Sequence, residues 1–298
     1  VVPKIKKYKK FLLSLYDFKP SSTMIKAKKI LYVSSEIFPF LPQTDMSYVG
    51  RHLPQAIQES GGEIRSFMPK YGCINERRNQ LHEVIRLSGM NIIIKDIDRP
   101  LIIKVASIST ARMQVYFIDN EDYFQRKSTY RDANGEFFAD NDERGIFFAR
   151  GVLETVKKLR WKPTLVHCHG WLSHLLPLFL KKAYHDDPLF TNVRMVVSLY
   201  NDLTTESFNE KMRSKIIMPG IKAKDMDFLE EPDAVNLAKT AVQYAHGVIL
   251  AHPGVDSSIA KYAGSLNIPV MPYIDPQDPK SNYIKEYNNF YDQILETQ

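Results

Sequence analysis

Three short stretches hold the residues whose types and spacing could do chemistry. "HCHGW" (His167–Trp171) places two histidines two residues apart, on the same face if the run is a strand. Trp171 then falls at the strand's carboxyl edge, where α/β proteins build their sites. "SLYN" (Ser198–Asn201) ends a second apolar run with a hydroxyl and an amide. "PFLPQTDMSYVG" (Pro39–Gly50) follows "KKILYVSSEI", which reads as the first strand of a parallel sheet. In a nucleotide-binding α/β protein that turn supplies glycines and a cation to phosphates. Here it supplies Pro42, Thr44 and Asp45. The substrate-binding candidates are therefore His169, Trp171, Tyr200 and Asn201. The sequence holds no nucleophile and base pair, no metal-ligand cluster and no glycine-rich phosphate loop, so neither metal nor cofactor is expected.

A structural role competes with each candidate. His167 reads as a core histidine bonded within the fold, whereas His169 and Trp171 are balanced between packing and lining a cleft. Arg144 and the acidic run "DNDE" read first as a helix start with favourable dipole charges. Tyr123, Phe124, Tyr130, Phe137 and Phe138 read as loop anchors ahead of a sugar-stacking platform.

The positioning elements follow from periodicity. From Lys28 onward, short β-branched runs alternate with amphipathic stretches, the pattern of a parallel sheet with helices on its faces. The expected sheet strands are "KILYVSS", "EIRSFMP", "LVHCH", "MVVSLY" and "GVILAHP", with "IPVMPY" following late. Several are apolar on both sides, as a covered sheet demands. Met46, Val49, Leu53, Ala56 and Ile57 fall at helical spacing, and Gly61 and Gly62 end that helix. Val84–Asp119 reads as a β insertion of additional strands. "ADNDERGIFFARGVLETVKKL" and the tail "SNYIKEYNNFYDQILETQ" read as helices.

Composition bounds the partners. The net charge is +6, but residues 1–29 hold nine lysines against one aspartate, so the body is close to neutral. No basic face for nucleic acid is expected. No apolar run reaches the roughly 18 to 20 residues of a membrane span. Cys73 and Cys168 match no metal or redox spacing and read as reduced thiols of a cytoplasmic protein. Residues 1–27 read as a basic, disordered leader ahead of a domain covering 28–298, with Met24 as an alternative start.

"YFIDNEDYFQRKSTYRDANGEFFADNDERGIFFARGVLE" (Tyr116–Glu154) and "KPTLVHCHGWLSHLLPLFLK" (Lys162–Lys181) closely resemble the N-terminal domain of bacterial glycogen synthases and plant starch synthases. "VSSEIFPF" at Val33, "MPKYG" at Met68 and "NLAKTAVQYAHGVILAHP" at Asn236 extend the resemblance from about Lys28 to about Pro253. It implies a single Rossmann-like parallel-sheet domain, equivalent to the N-terminal half of a GT-B glucosyltransferase. In that family this half binds the glucan acceptor and closes on a C-terminal half that binds ADP-glucose. Catalysis there is electrostatic, around the departing diphosphate.

Against the family's motifs the chain departs at three points. The first loop of the family reads Lys-x-Gly-Gly-Leu; its lysine falls at Pro42 and its glycines at Thr44 and Asp45. The aspartate of His-x-His-Asp-Trp falls at Gly170, and the histidine of Thr-x-His-Asn at Tyr200. Losing one such stabilising group costs on the order of 100- to 1,000-fold in rate. After Pro253 the sequence runs for too few residues to form a second Rossmann half. The closing helix, Ser281–Leu295, is expected to cover surface that would otherwise face it. The expected function is therefore a domain not catalytic on its own, a module for α-glucan or for a protein partner or homodimer over the face left by the second half. The alternative is half of a split ADP-glucose-dependent α-1,4-glucan synthase, completed in trans. A different enzymatic activity in the same cleft has no residues to support it.

Overall fold

The structure, a computed structural model, describes residues 28–296. The basic leader read at residues 1–27 lies outside them. The strands are β1 (Lys29–Ser34), β2 (Glu63–Pro69), β3 (His82–Glu83), β4 (Met90–Ile94), β5 (Ile97–Ile108), β6 (Met113–Asp119), β7 (Leu165–His169), β8 (Arg194–Leu199), β9 (Gly247–Leu250) and β10 (Val270–Met271). The helices are α1 (Asp45–Glu59), α2 (Glu121–Phe124), α3 (Asn141–Leu159), α4 (Leu176–Lys182), α5 (Met212–Ile216), α6 (Ala234–Gln243), α7 (Ser257–Ser265) and α8 (Tyr283–Glu296).

All the strands join one sheet in the order β10-β9-β8-β7-β1-β2-β6-β5-β3, with β4 paired to β5. From β10 to β6 every pairing is parallel; β5 then runs antiparallel to β6, and β3 and β4 antiparallel to β5. The expected additional strands of Val84–Asp119 are present as β4 and β5, but the last run of that segment is not part of an insertion. β6 belongs to the parallel sheet beside β2, because its own burial is nearly complete and only a position between two strands covers both of its edges. The late strands are also shorter than expected, since Pro269 and Pro272 flank β10 and withhold N–H donors from a longer ladder.

The chain moves outward from β1 to β2, then crosses back to place β7 on β1's other side. This makes β1 and β7 the topological switch point, and the crevice beyond their carboxyl ends is where open α/β sheets take ligands. On β7, Leu165, His167 and His169 face one side of the sheet and Val166 and Cys168 the other. α8 lies on the His167 side beside α1, while α3, α4 and α6 cover the opposite side. α8 thus packs on the sheet face itself. Its buried residues Tyr283, Tyr287, Phe290, Tyr291 and Ile294 recur at helical spacing and form its inner stripe.

Among the described residues no helix is long and apolar enough to cross a membrane. Both cysteines are free, Cys73 exposed and Cys168 buried.

Candidate functional site at the switch point

The first loop reaches α1 through a reciprocal capping box. The Thr44 hydroxyl accepts the Ser47 N–H at 3.0 Å, and the Ser47 hydroxyl accepts the Thr44 N–H at 2.8 Å. Such a cap contributes about 1 kcal/mol and fixes where the helix begins. The same threonine donates its hydroxyl to Glu36 at 3.0 Å. Asp45, in the first turn, accepts from the Gln277 amide at 2.6 Å, and the Gln277 oxygen accepts from Gln43 at 2.7 Å. The segment ahead of α8 therefore straps the loop from outside. Pro42 is exposed and contributes only a carbonyl, which accepts from Ser47 at 2.9 Å.

Across the crevice, Gly170 follows β7 with φ +81° and ψ 159°, a conformation essentially confined to glycine. A Cβ there would lie 2.6 Å from the Ser35 hydroxyl and 2.7 Å from the Met46 sulfur. Met46 and Ser35 thus occupy the space beside Gly170 where a longer side chain would project.

The carboxylates set the electrostatics. Asp202 accepts the Trp171 backbone N–H at 3.0 Å through one oxygen, while the other is enclosed without a partner. Burial pushes its pKa up to about 6, and the Glu36 charge adds to the shift. Glu36 is itself raised by burial, against hydrogen bonds from Thr44 and Tyr130. The Tyr130 hydroxyl lies 3.2 Å from that of Tyr71, which donates to the Ser35 carbonyl at 3.1 Å. Neither carboxylate stood among the sequence candidates. The available signal was position, since each lies within three residues of the carboxyl end of a central strand.

The raised Asp202 makes stability depend on pH. The folded chain keeps a proton that the unfolded chain, with an ordinary value of 3.8, has released. This group's favourable contribution is complete at low pH and is lost as pH rises from about 4 through 6. Asp202→Asn is expected to raise the thermal midpoint by several degrees at pH 7.5 and to leave it nearly unchanged at pH 4. Equal shifts at both pH values in thermal melts would show that the carboxylate titrates normally.

The four sequence candidates separate. His169 is fully buried, its Nδ1 3.0 Å from the Tyr200 hydroxyl, so these two meet each other across β7 and β8. Burial holds His169 well below the usual imidazole range, at about 3, and pushes Tyr200 far above the phenol range. Trp171 is buried against Tyr130, Phe137 and Phe208, ring to ring. Asn201 is the one of the four exposed at the rim, near Gly254 and His252. His167 sits deeper, between the Tyr291 hydroxyl at 2.6 Å and the Ser198 hydroxyl at 2.8 Å.

The loop aromatics anchor. Tyr123 and Phe124 are buried, and Tyr130 and Phe137 close around Trp171. Arg144 is wholly buried, donating to the Tyr123 carbonyl at 2.8 Å, and Asp142 pairs with Lys215 at 2.6 Å. The acidic run does begin a helix, but part of it is internal. Among the described residues no three His, Cys, Asp or Glu side chains are grouped to hold a metal.

This architecture has a match along most of its length: the family model for the starch synthase catalytic domain covers residues 29–267. The chain belongs to that family. Its relatives in the family include the glycogen synthase of Chlorobium limicola, 37% identical over 218 residues, which are 73% of this chain and 44% of the relative. The glycogen synthase of Chlorobaculum parvum is 36% identical over 234 residues, 78% of this chain and 47% of that one. The chain spans about half the length of these curated relatives. Among solved structures, the catalytic domain of starch synthase IV from Arabidopsis thaliana, bound to ADP and acarbose, superposes with a TM-score of 0.65 at 18% identity. The superposition covers 82% of this chain and 51% of that chain. The fold is that of the starch synthase GT-B catalytic domain, in line with the sequence reading.

Proposed function

We propose that this starch synthase-family domain binds α-glucan at the switch-point crevice and does not by itself transfer glucose from ADP-glucose. The observation that carries the reading is the filling of the crevice beside Gly170 by Met46 and Ser35, under a loop that presents carboxylates. A diphosphate there would meet Glu36, Asp45 and Asp202, and like charges at close range disfavour it. A neutral sugar meets no such penalty, because carboxylates and amides accept and donate to sugar hydroxyls. Starch synthase IV holds both ADP and the oligosaccharide acarbose. Of those two ligand classes, the crevice of this chain suits the second.

Isothermal titration of the full chain with ADP-glucose and, separately, with a maltooligosaccharide tests this. Saturable glucan binding with no heat from ADP-glucose up to millimolar concentration is the expected pair of results. A micromolar Kd for ADP-glucose, roughly −8 kcal/mol, would overturn the electrostatic half of the reading. Silence toward the glucan would overturn the other half.

A further inference from the structure

We propose that a cavity at the amino ends of the central strands, opposite the switch-point crevice, binds a small organic phosphate. The cavity is open to solvent on one side and has a volume of about 990 Å³, within the range of sites for organic ligands. Lys29 opens β1, Arg194 opens β8, Lys162 precedes β7, Lys181 ends α4 and His246 precedes β9; all five line it. No aspartate or glutamate is among its lining residues.

Two of the lysines stand out from the other cations. Among the described residues Lys162 and Lys181 carry no ion pair, and Lys29 pairs only with a partly exposed Glu63 at 2.9 Å. Lys181 stands in the last turn of α4, where a cation also suits the helix dipole. That does not account for Lys162, which reaches the same space from a different segment. His246 accepts the Met195 N–H at Nδ1, 3.0 Å away, which leaves its proton on Nε2 as a donor. Burial and then the charges of Arg194 and Lys181 hold it down at about 4, so the positive potential in the cavity is felt by the protein's own groups.

The rest of the lining is mixed: Thr164, His185, Thr191 and Asn192 are polar, while Leu180 and Phe190 give apolar surface, so the cavity offers anion-binding groups beside a surface for an organic moiety. A polyanion is disfavoured, because the near-neutral body gives no basic track leading away from the cavity. The occupant is a phosphate monoester with an organic group of moderate size.

The test titrates the full chain with phenyl phosphate and with inorganic phosphate at low salt, in the native protein and in a Lys162→Gln/Lys181→Gln variant. Lys157→Gln, whose lysine pairs with Glu154 and Asp187 outside the cavity, serves as control. Phenyl phosphate is expected to saturate at least tenfold more tightly than inorganic phosphate, to weaken at least tenfold in the double variant and to be unchanged in the control. Absence of saturation at millimolar phenyl phosphate overturns the site. So does equal weakening in the control, which would mark general charge attraction. Equal affinity for both probes overturns the organic half, and unchanged binding in the double variant places the anion elsewhere.

Discussion

Removing α8, by ending the chain before Tyr283, is expected to abolish cooperative unfolding of what remains. Five side chains of this helix, Tyr283, Tyr287, Phe290, Tyr291 and Ile294, are buried against the sheet and α1. At about 1.5–3 kcal/mol for each buried side chain, they account for about 10 kcal/mol. The whole stability of a domain is about 5–15 kcal/mol. The loss also strips the Tyr291 hydroxyl from His167 Nδ1, leaving a neutral imidazole of depressed basicity with an unmet partner. Tyr291→Phe isolates that contribution at about 1–3 kcal/mol. Near-ultraviolet circular dichroism through a thermal melt reads both variants. A sharp transition retained by the truncated chain within a few degrees of the native midpoint would show that α8 is an accessory to the fold.

Gly170→Asp, which would restore the aspartate of the family's motif, is expected to cost about 2–6 kcal/mol of stability and to bring no nucleotide-sugar binding. Two independent costs add. The backbone at φ +81° and ψ 159° disfavours any side chain by about 1–3 kcal/mol. The new Cβ would stand 2.6 to 2.8 Å from Ser35 Oγ and from the Sδ and Cε of Met46, and such overpacking costs about 1–3 kcal/mol. Met46→Ala in the same chain, compared with Met46→Ala alone to remove the cost of truncating a buried side chain, should recover the Met46 part of the steric share and leave the Ser35 and backbone parts. Urea denaturation of the single and double variants measures the split. A Gly170→Asp protein with the native midpoint would show that this turn can relax into a conformation open to aspartate.

The parallel sheet was legible because its strands are apolar on both sides, and β1, β2, β7 and β8 stand within a residue of their expected positions. Helices 45–59 and 141–159 were legible from the helical spacing of their apolar residues and from their end signals. The neighbour of β6 was not, since alternation identifies a strand without naming its partner. At the site, sequence reading singled out His169 and Tyr200 separately, but their hydroxyl-to-imidazole contact joins residues 31 positions apart and depends on the β7–β8 register. Gly170 was read as an aspartate lost from a motif. Its positive φ gives it a conformational role as well, and that role is invisible without the Ser35 and Met46 contacts. Glu36 and Asp202 escaped notice because their shared field arises only when β1 and β8 end at the same crevice.

The placement of α8 has a consequence for synthesis. Lys28, at the start of β1, donates to Asn288 and pairs with Asp292, a closure across 260 residues in the first case. At about 5–20 residues per second on the ribosome, β1 is made roughly 10 to 50 seconds, and the face of β7 bearing His167 roughly 5 to 25 seconds, before the helix that covers them is complete. For that interval the nascent chain presents a half-covered sheet, and the order of translation, not only the final packing, decides how long this apolar face must be kept from other chains.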